Sequence, residues 1–428
     1  MKKLVYSIGL VLLVTIWWSA AAPREEIGCC ISESVVFDPV TVERTQAVDR
    51  SKEFAAAIAT LEINLPAYDD AVFLDDGESA LVTAHDGQIW MVDLAAHTAE
   101  PFADVPLMAW GIQIHQAPGN PPQVYFCAAG SYAARSPGEV PGLYRLDLNT
   151  RSAEPLALRV PDTQINHQRP VVYADEDPNA PELQADDRST PSRKIMVCDN
   201  LEVSADGRRI YFSEPFNYEN ASTRDAVHEA IALARNGRLW RHDLDTGSTR
   251  LIAEGFHFIN GVLYDPHPGK LREESVLVSQ TSLFRVMRFY VNGPKAGTSE
   301  IVIDGLPGMP DGMDRDAAGR IWLAMFADRG PLLTWAHEHA WIKPLLMRLP
   351  TAWLLSQARR TGVVVLSPDG SRPLYSAFYK GPELASIASA VPAPSGIFLA
   401  NIALSDADPE QKKPIQRLGW PSEWQYSQ

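Results

Sequence analysis

Residues 306–325 read LPGMPDGMDRDAAGRIWLAM, and Asp311 stands between Pro310 and Gly312 just before an apolar strand pattern. Pro restricts the residue before it, and Gly permits a tight backbone turn. A carboxylate fixed in such a turn can ligate a hard cation or act as a base. Asp is also a favoured turn residue, so Asp311 taken alone is equally a turn Asp. Other reactive patterns are weaker. No G-x-S-x-G marks a serine-hydrolase nucleophile. RNGRLW and GLPGMP are turn signals and make no dinucleotide fingerprint. His337 and His339 lie two apart, which does not put them on one helix face, and they form no H-E-x-x-H site. The four cysteines, Cys29, Cys30, Cys127 and Cys198, include no C-x-x-C. Four allow three complete pairings, and spacing does not choose among them. Cys127 and Cys198 lie in the strand-like runs VYFCAAG and KIMVCDN, where buried thiols and a disulfide are both open.

A turn with Gly, then alternating apolar residues, recurs along the chain: HDGQIWMVDL (85–94), VPGLYRLDLNT (140–150) and NGRLWRHDLDTG (236–247). Looser forms are SLFRVMRFYVNG (282–293), AGRIWLAMF (318–326) and TGVVVLSPDG (361–370). Period-two alternation puts one set of side chains inward on each strand, and Asp-Gly and Asn-Gly supply turns. No strand alternates regularly with a long helix, which argues against Rossmann or α/β-barrel plans. Short strands repeating over several tens of residues point to an all-β fold, a six-bladed β-propeller with a short helical insertion. Blades are expected to start near 66, 111, 195, 256, 308 and 361. Part of 31–48 is expected to close the ring on the last blade, removing an open sheet edge.

The 428 residues carry 46% hydrophobic content, a formal charge of −15 and a pI of about 5.1. Nothing supplies a broad basic face for phosphates, so no nucleic-acid partner is expected. Lys2 and Lys3 precede LVYSIGLVLLVTIWWSAAA, nineteen residues without a charge. Residues 1–22 therefore read as a cleaved signal peptide or an uncleaved membrane anchor, and either exports the rest of the chain. The IGCC at 27–30 has the look of a lipoprotein signal, but charged REE separates it from the apolar run. The expected organisation is the 1–22 segment, a propeller over 31–402 and a C-terminal tail over 403–428. Residues 174–194 are polar and mostly acidic and read as a solvated loop. Residues 329–360 mix Leu, Trp, Ile and Met with His, Lys and Arg at helical intervals, with Pro344 and Pro350 ending or kinking helices. This helical insertion is expected to pack on the domain, cap the ring or touch a membrane surface.

Three long blocks carry a family resemblance: VCDNLEVSADGRRIYFSEPFNY, NGRLWRHDLDTGSTRLIAEGFHFINGVLYDP, and RFYVNGPKAGTSEIVIDGLPGMPDGMDRDAAGRIWLAM. In order, they resemble the strictosidine synthase-like proteins, which belong with the SMP-30 and gluconolactonase-like six-bladed propellers. The insertion at 329–360 resembles the adipocyte plasma membrane-associated branch. The resemblance implies one divalent metal, most often Ca²⁺, with Zn²⁺, Mn²⁺ or Mg²⁺ as alternatives, held by acidic and Asn side chains of successive blades. By motif, the implied ligands are Asp69 in LPAYDDAVF, Asp199 in VCDNLEV, Asn260 in HFINGV and Asp311 in MPDGM. Asp69 stands where relatives carry Glu, and the Asp199–Asn200 pair is inverted relative to the usual order.

Three carboxylates and an amide suit a hard cation. The resemblance further implies hydrolysis of a small-molecule lactone or ester, with Asp199 or Asp311 as general base. Trp110, Phe216, His257 and Phe326 are the candidate substrate contacts, with a packed, hydrogen-bonded role equally open for His257. Strictosidine synthases use an acid in the last blade, where this chain has Ala390 and Ala393, so the condensation is not expected. The competing expectation is a non-catalytic binding or scaffold propeller that keeps a structural calcium ion.

Overall fold

The computed structural model describes residues 22–37, 39–74, 77–117, 119–130, 140–185, 187–266, 274–357, 360–402 and 412–424. The fold is an all-β, six-bladed propeller with minor helical segments. Blade 1 holds the four strands of 68–104, blade 2 those of 108–157, blade 4 those of 259–303 and blade 5 those of 308–379. Blade 3 is built on the strands of 201–256. Every blade is antiparallel, and the first strands of neighbouring blades lie against one another around a central channel. Alternation creates this packing. TGVVVL at Thr361–Leu366 is buried along its whole length because blades cover both of its faces. The outermost IATLEINL, Ile58–Leu65, shows the alternating pattern of a strand with one wet face.

Blade 6 differs from the expectation. Thr361–Leu366 does not open a blade; it pairs with Ile321–Asp328 and forms the third strand of blade 5. The helical segment between those two strands separates them in sequence and hides their pairing. Blade 6 instead starts at Ile387–Ala393, continues through Gly396–Asn401 and Lys413–Leu418, and takes Ile58–Leu65 as its outer strand. Ring closure thus comes from 58–65 rather than 31–48, whose 39–47 portion is helical. Residues 413–418, expected within a C-terminal tail, are an integral strand, so the propeller strands run from 58 to 418. The 174–194 stretch is not a free solvated loop. Glu182–Leu183 pairs with the outer strand of blade 3, and Ser192–Lys194 pairs with Arg159–Pro161. Two of its acids are held by arginines: Asp175 by Arg209 at 2.7 Å and Glu182 by Arg250 at 2.6 Å.

The signal or anchor expected over 1–22 lies, except for Ala22, outside the described residues. Among the described residues no helix is long and apolar enough to cross a membrane.

Cys127 and Cys198 form a disulfide that ties blade 2 to the approach of blade 3 across 71 residues of sequence. Closing a loop of that length restricts the unfolded chain by about 4 kcal/mol in the chain-entropy description. The variant C127S/C198S is expected to lose stability of that order in urea unfolding, with the denaturant slope separating loss of stability from a change in cooperativity.

Candidate functional site

The inner strands share one irregularity. Pairing to the second strand skips Asp69–Asp70 in blade 1, Trp110–Gly111 in blade 2, Asn260–Gly261 in blade 4, Asp311–Gly312 in blade 5 and Ala388–Ser389 in blade 6. In blade 3 the pair Asp199–Asn200 stands at the same place, immediately before Leu201–Val203. Such an interruption breaks the regular ladder and re-aims a side chain. Hydroxyls repair the gap. The amide N–H of Asp70 donates to Thr83 Oγ1 at 3.0 Å, and that of Asn200 donates to Ser213 Oγ at 3.1 Å.

The second residue of each pair links one blade to another. Asp70 Oδ2 accepts from the Ile112 N–H at 3.2 Å, and Asn200 Oδ1 accepts from the Val262 N–H at 3.1 Å. Gly261 and Gly312 are required by space. A Cβ on Gly261 would lie 2.3 Å from the Asp311 carbonyl oxygen, and one on Gly312 would lie 2.7 Å from the Ala388 carbonyl oxygen. The first residues of the pairs face a cavity of about 180 Å³.

Asp69, Asp199, Asn260 and Asp311, far apart in sequence, all line this one cavity. Trp110, Phe216 and Phe326 line it too. His257 does not. It is buried, its Nδ1 lies 2.9 Å from the Leu233 carbonyl oxygen, and burial pushes its pKa down to about 3. The structure therefore gives His257 the packed role. His337 is likewise buried, with Nε2 2.8 Å from the Ala230 carbonyl oxygen.

The floor is electrostatically crowded. Burial, followed by the charge of Asp69, holds the Asp199 carboxyl well above the usual carboxylate range. Burial also raises Asp311, with Asp69 and Asp199 adding to the effect and a hydrogen bond with Asn260 opposing it. Asp199 Oδ2 is buried without a hydrogen-bond partner among the described residues. Beside the floor, the His85 ring stacks on Trp110 and its Nε2 lies 3.9 Å from Asp69 Oδ1. A second group of carboxylates, which motif matching missed, sits on the inner strands of blades 1, 3 and 5. Asp70 is pushed up to about 7 by burial and Asp69, and Glu202 to about 8 by burial and Asp70. Asp314 is raised by burial, Asp70 and Glu202. Among the described residues, no group of three or more His, Cys, Asp and Glu side chains is placed to hold a metal ion.

The roof is apolar; capping by the 329–360 segment was among the expectations, and the helix that shares the roof with it was missed. The helix Thr223–Ala232 supplies Ala226, Val227, Ala230 and Ile231, and the 329–360 segment supplies Leu332, Leu333, Leu346 and Leu354. A sequence signal for the first existed: Ser222 and Asp225 form a capping box ahead of an apolar pattern with helical spacing. Both roof pieces connect the second strand of a blade to its third, in blades 3 and 5. Antiparallel pairing sets the end of a second strand beside the start of the first, so these connections must emerge above the interrupted pairs.

Residues 171–345 match the family described as the SMP-30/Gluconolactonase/LRE-like region. The chain is a six-bladed β-propeller whose matched stretch is similar to the SMP-30/gluconolactonase-like family. It is also similar to adipocyte plasma membrane-associated proteins: 32% identical over 161 residues to that of Salmo salar, covering 37% of each chain. The protein of that name from Danio rerio is 29% identical over 195 residues, covering 44% of this chain and 45% of its own. The matched stretch thus spans less than half the length of these curated relatives. A gluconolactonase structure from Xanthomonas campestris aligns with a TM-score of 0.49 and 13% identity, over 85% of this chain and 89% of its own.

Two outcomes follow from this geometry. Gly261→Ala is expected to destabilise the fold by about 1–3 kcal/mol, the usual cost of overpacking, because the obstacle is a backbone carbonyl. Thermal unfolding of the variant checks this. Glu229, in the roof helix, is fully buried and accepts hydrogen bonds from Tyr218 Oη and Asn236 Nδ2. Burial raises its pKa from the ordinary 4.5 to about 8, against those two hydrogen bonds. Below pH 4.5 the carboxyl is protonated in both folded and unfolded chains. Above it the unfolded chain releases the proton first, so this contribution to stability falls as pH rises toward about 8. Relative to wild type, Glu229→Gln is expected to be more stable at pH 8 than at pH 5, and denaturation at the two pH values measures the difference.

Proposed function

We propose that this protein is an exported, divalent-metal-dependent hydrolase of an apolar lactone or ester. The observation that carries the reading is the meeting of Asp69, Asp199, Asn260 and Asp311, from four blades, on the floor of one mainly apolar cavity. Their chemistry fits a hard cation: three carboxylates and an amide oxygen, with the Asp69 charge adding to the burial that raises Asp199 and Asp311, and with one buried carboxylate oxygen unpartnered. These four side chains would hold the ion, and Ca²⁺ is the first choice for such all-oxygen donors. When bound, the ion supplies carbonyl polarisation and charge stabilisation.

The chain's own residues supply the rest. Asp199 Oδ2, lacking a partner, is the atom best placed to take a proton from an attacking water. Asn260 steadies Asp311 through their hydrogen bond. Trp110, Phe216 and Phe326 give an acyl or aryl group an apolar wall, and the leucine-lined roof keeps bulk water from the reacting carbonyl. The family match supports hydrolytic chemistry, and the disulfide between Cys127 and Cys198 suits an oxidising compartment outside the cytoplasm. The sixth blade contributes Ala388 and Ser389 to the cavity. Neither residue supplies the acid that an amine–aldehyde condensation would need.

A panel of alkyl lactones and aryl esters tests the reading on the full chain. Turnover is expected to disappear with chelator and return with Ca²⁺. Asp311→Ala is expected to lower kcat/KM by about a hundredfold or more, equivalent to about 3 kcal/mol of transition-state stabilisation, with unchanged circular dichroism. Absence of turnover by metal-replete protein across the panel overturns the hydrolase reading and leaves a binding propeller.

A further inference from the structure

The 329–360 segment has two apolar faces, and the cavity uses only one. It contains the helices Pro331–Glu338, Lys343–Leu346 and Thr351–Leu355. Leu332, Leu333, Leu346 and Leu354 line the cavity. On the same short helices and the turn between them, Trp335, Trp341, Leu345 and Trp353 are exposed by 38%, 70%, 45% and 46%. Trp335 and Trp341 meet edge to face at 5.7 Å. Seven large hydrophobic residues are exposed among the described residues, and these four are the majority, so the patch is not random scatter. A fifth, Val36, borders it: the neighbouring Val35 N–H donates to the His337 carbonyl oxygen at 2.8 Å. The segment's polar and charged side chains are few. His339 is exposed and stacks on Trp335 at 5.2 Å, Glu338 and Arg360 are exposed with Arg360 paired to Asp328, Arg348 is half-buried, and Lys343 is buried and donates to the Glu33 carbonyl oxygen.

We propose that this outer face docks on a lipid bilayer. Exposed indole rings suit the headgroup boundary, where an apolar body and a polar N–H are both accommodated. The entry of the chain points to the same occupant. The Ala22 carbonyl oxygen accepts from Arg224 Nη2 at 3.4 Å, and Arg24 pairs with Asp225 at 3.0 Å. Both partners stand in the first turn of the roof helix, which packs against the helices of the 329–360 segment. The nineteen uncharged residues that end at Ala22 therefore join the body at the roof helix, the neighbour of the segment that bears the tryptophans. Docking rests on this face and on the entry of the chain, and it stands whether or not the hydrolase reading does.

Bromine quenching of tryptophan emission tests it, with the full chain on phosphatidylcholine vesicles carrying brominated acyl chains. The wild type is compared with Trp335→Ser/Trp341→Ser/Trp353→Ser. If the lid meets lipid, the quenched fraction falls in the variant, because quenched emitters have been removed. If the lid faces water, the fraction rises, because unquenched emitters have been removed, and the proposal is overturned. The single variant Trp341→Ser, at the most exposed of the three, must move the fraction in the same direction and guards against misfolding of the triple variant. A second copy of the chain as occupant would make the difference depend on the protein-to-lipid ratio, and that result also overturns the proposal.

Discussion

The backbones of the inner strands come so close around the channel that some positions have no room for a Cβ. Gly261 lies against the Asp311 carbonyl and Gly312 against the Ala388 carbonyl, each reaching the next blade. A regular ladder could not make those approaches, since the inner strand must leave its second strand for two residues. Ring closure and site formation are therefore one event. The residue that enters the inter-blade joint is small or hydrogen-bonded there, and the residue before it is turned into the cavity. Thr83 and Ser213 make the arrangement tolerable by meeting backbone groups that the missing ladder bonds would leave unsatisfied.

That geometry concentrates like charge where solvation is poor. Asp69, Asp199 and Asp311 are drawn together by the fold, and burial outweighs every favourable contact that Asp199 and Asp311 make. Isolated carboxylates buried this way favour the neutral form. The fold accepts this cost at the floor while roofing the same cavity with alanine, valine, isoleucine and leucine. Elsewhere it treats buried charge differently. Glu214 on the second strand of blade 3 is matched by Arg193 at 2.7 Å and by the Trp240 indole N–H at 2.9 Å. The contrast separates the floor from ordinary structural ion pairing, because the floor carboxylates face one another and, among the described residues, no Lys or Arg lines the cavity with them.

Much of the fold was legible because strand alternation and Gly turns are local. HDGQIWMVDL and NGRLWRHDLDTG announce their strands whatever lies beyond them. What failed was non-local. Thr361–Leu366 has the same local signature as a blade opener, and only its pairing with Ile321–Asp328 across the helical segment makes it a third strand. IATLEINL alternates well, yet nothing within it specifies that its partner is Lys413–Leu418 at the other end of the chain. The floor residues were reached through resemblance to known propellers, since an interrupted pair exists only relative to a neighbouring strand. Asp70, Glu202 and Asp314 had no motif to mark them, and their environment appears only when blades 1, 3 and 5 face one another. His257 carried the reverse error: its neighbours in HFINGV belong to the site, but its own side chain turns back to Leu233.

Blade 5 shows how the floor and its cover are coupled. Asp311 lies in its inner strand, and Phe326 and Asp328 lie near the end of its second strand, where the cover segment departs. The carbonyl of Pro310 accepts from Thr281 Oγ1 and that of Asp311 accepts from Ser279 Oγ, so blade 4 fixes the interrupted pair on one side. Gly312, pressed against Ala388 and Ser389, lets blade 6 close in on the other. Asp311 is therefore held by its backbone on both flanks while its side chain bonds Asn260. The cover segment returns to the same blade through Thr361, whose Oγ1 donates to the Met325 carbonyl oxygen and accepts the Ile387 N–H of blade 6. The cover and the Asp311 backbone are thus anchored by different contacts: the cover by the strand ends that flank it, the interrupted pair by blades 4 and 6.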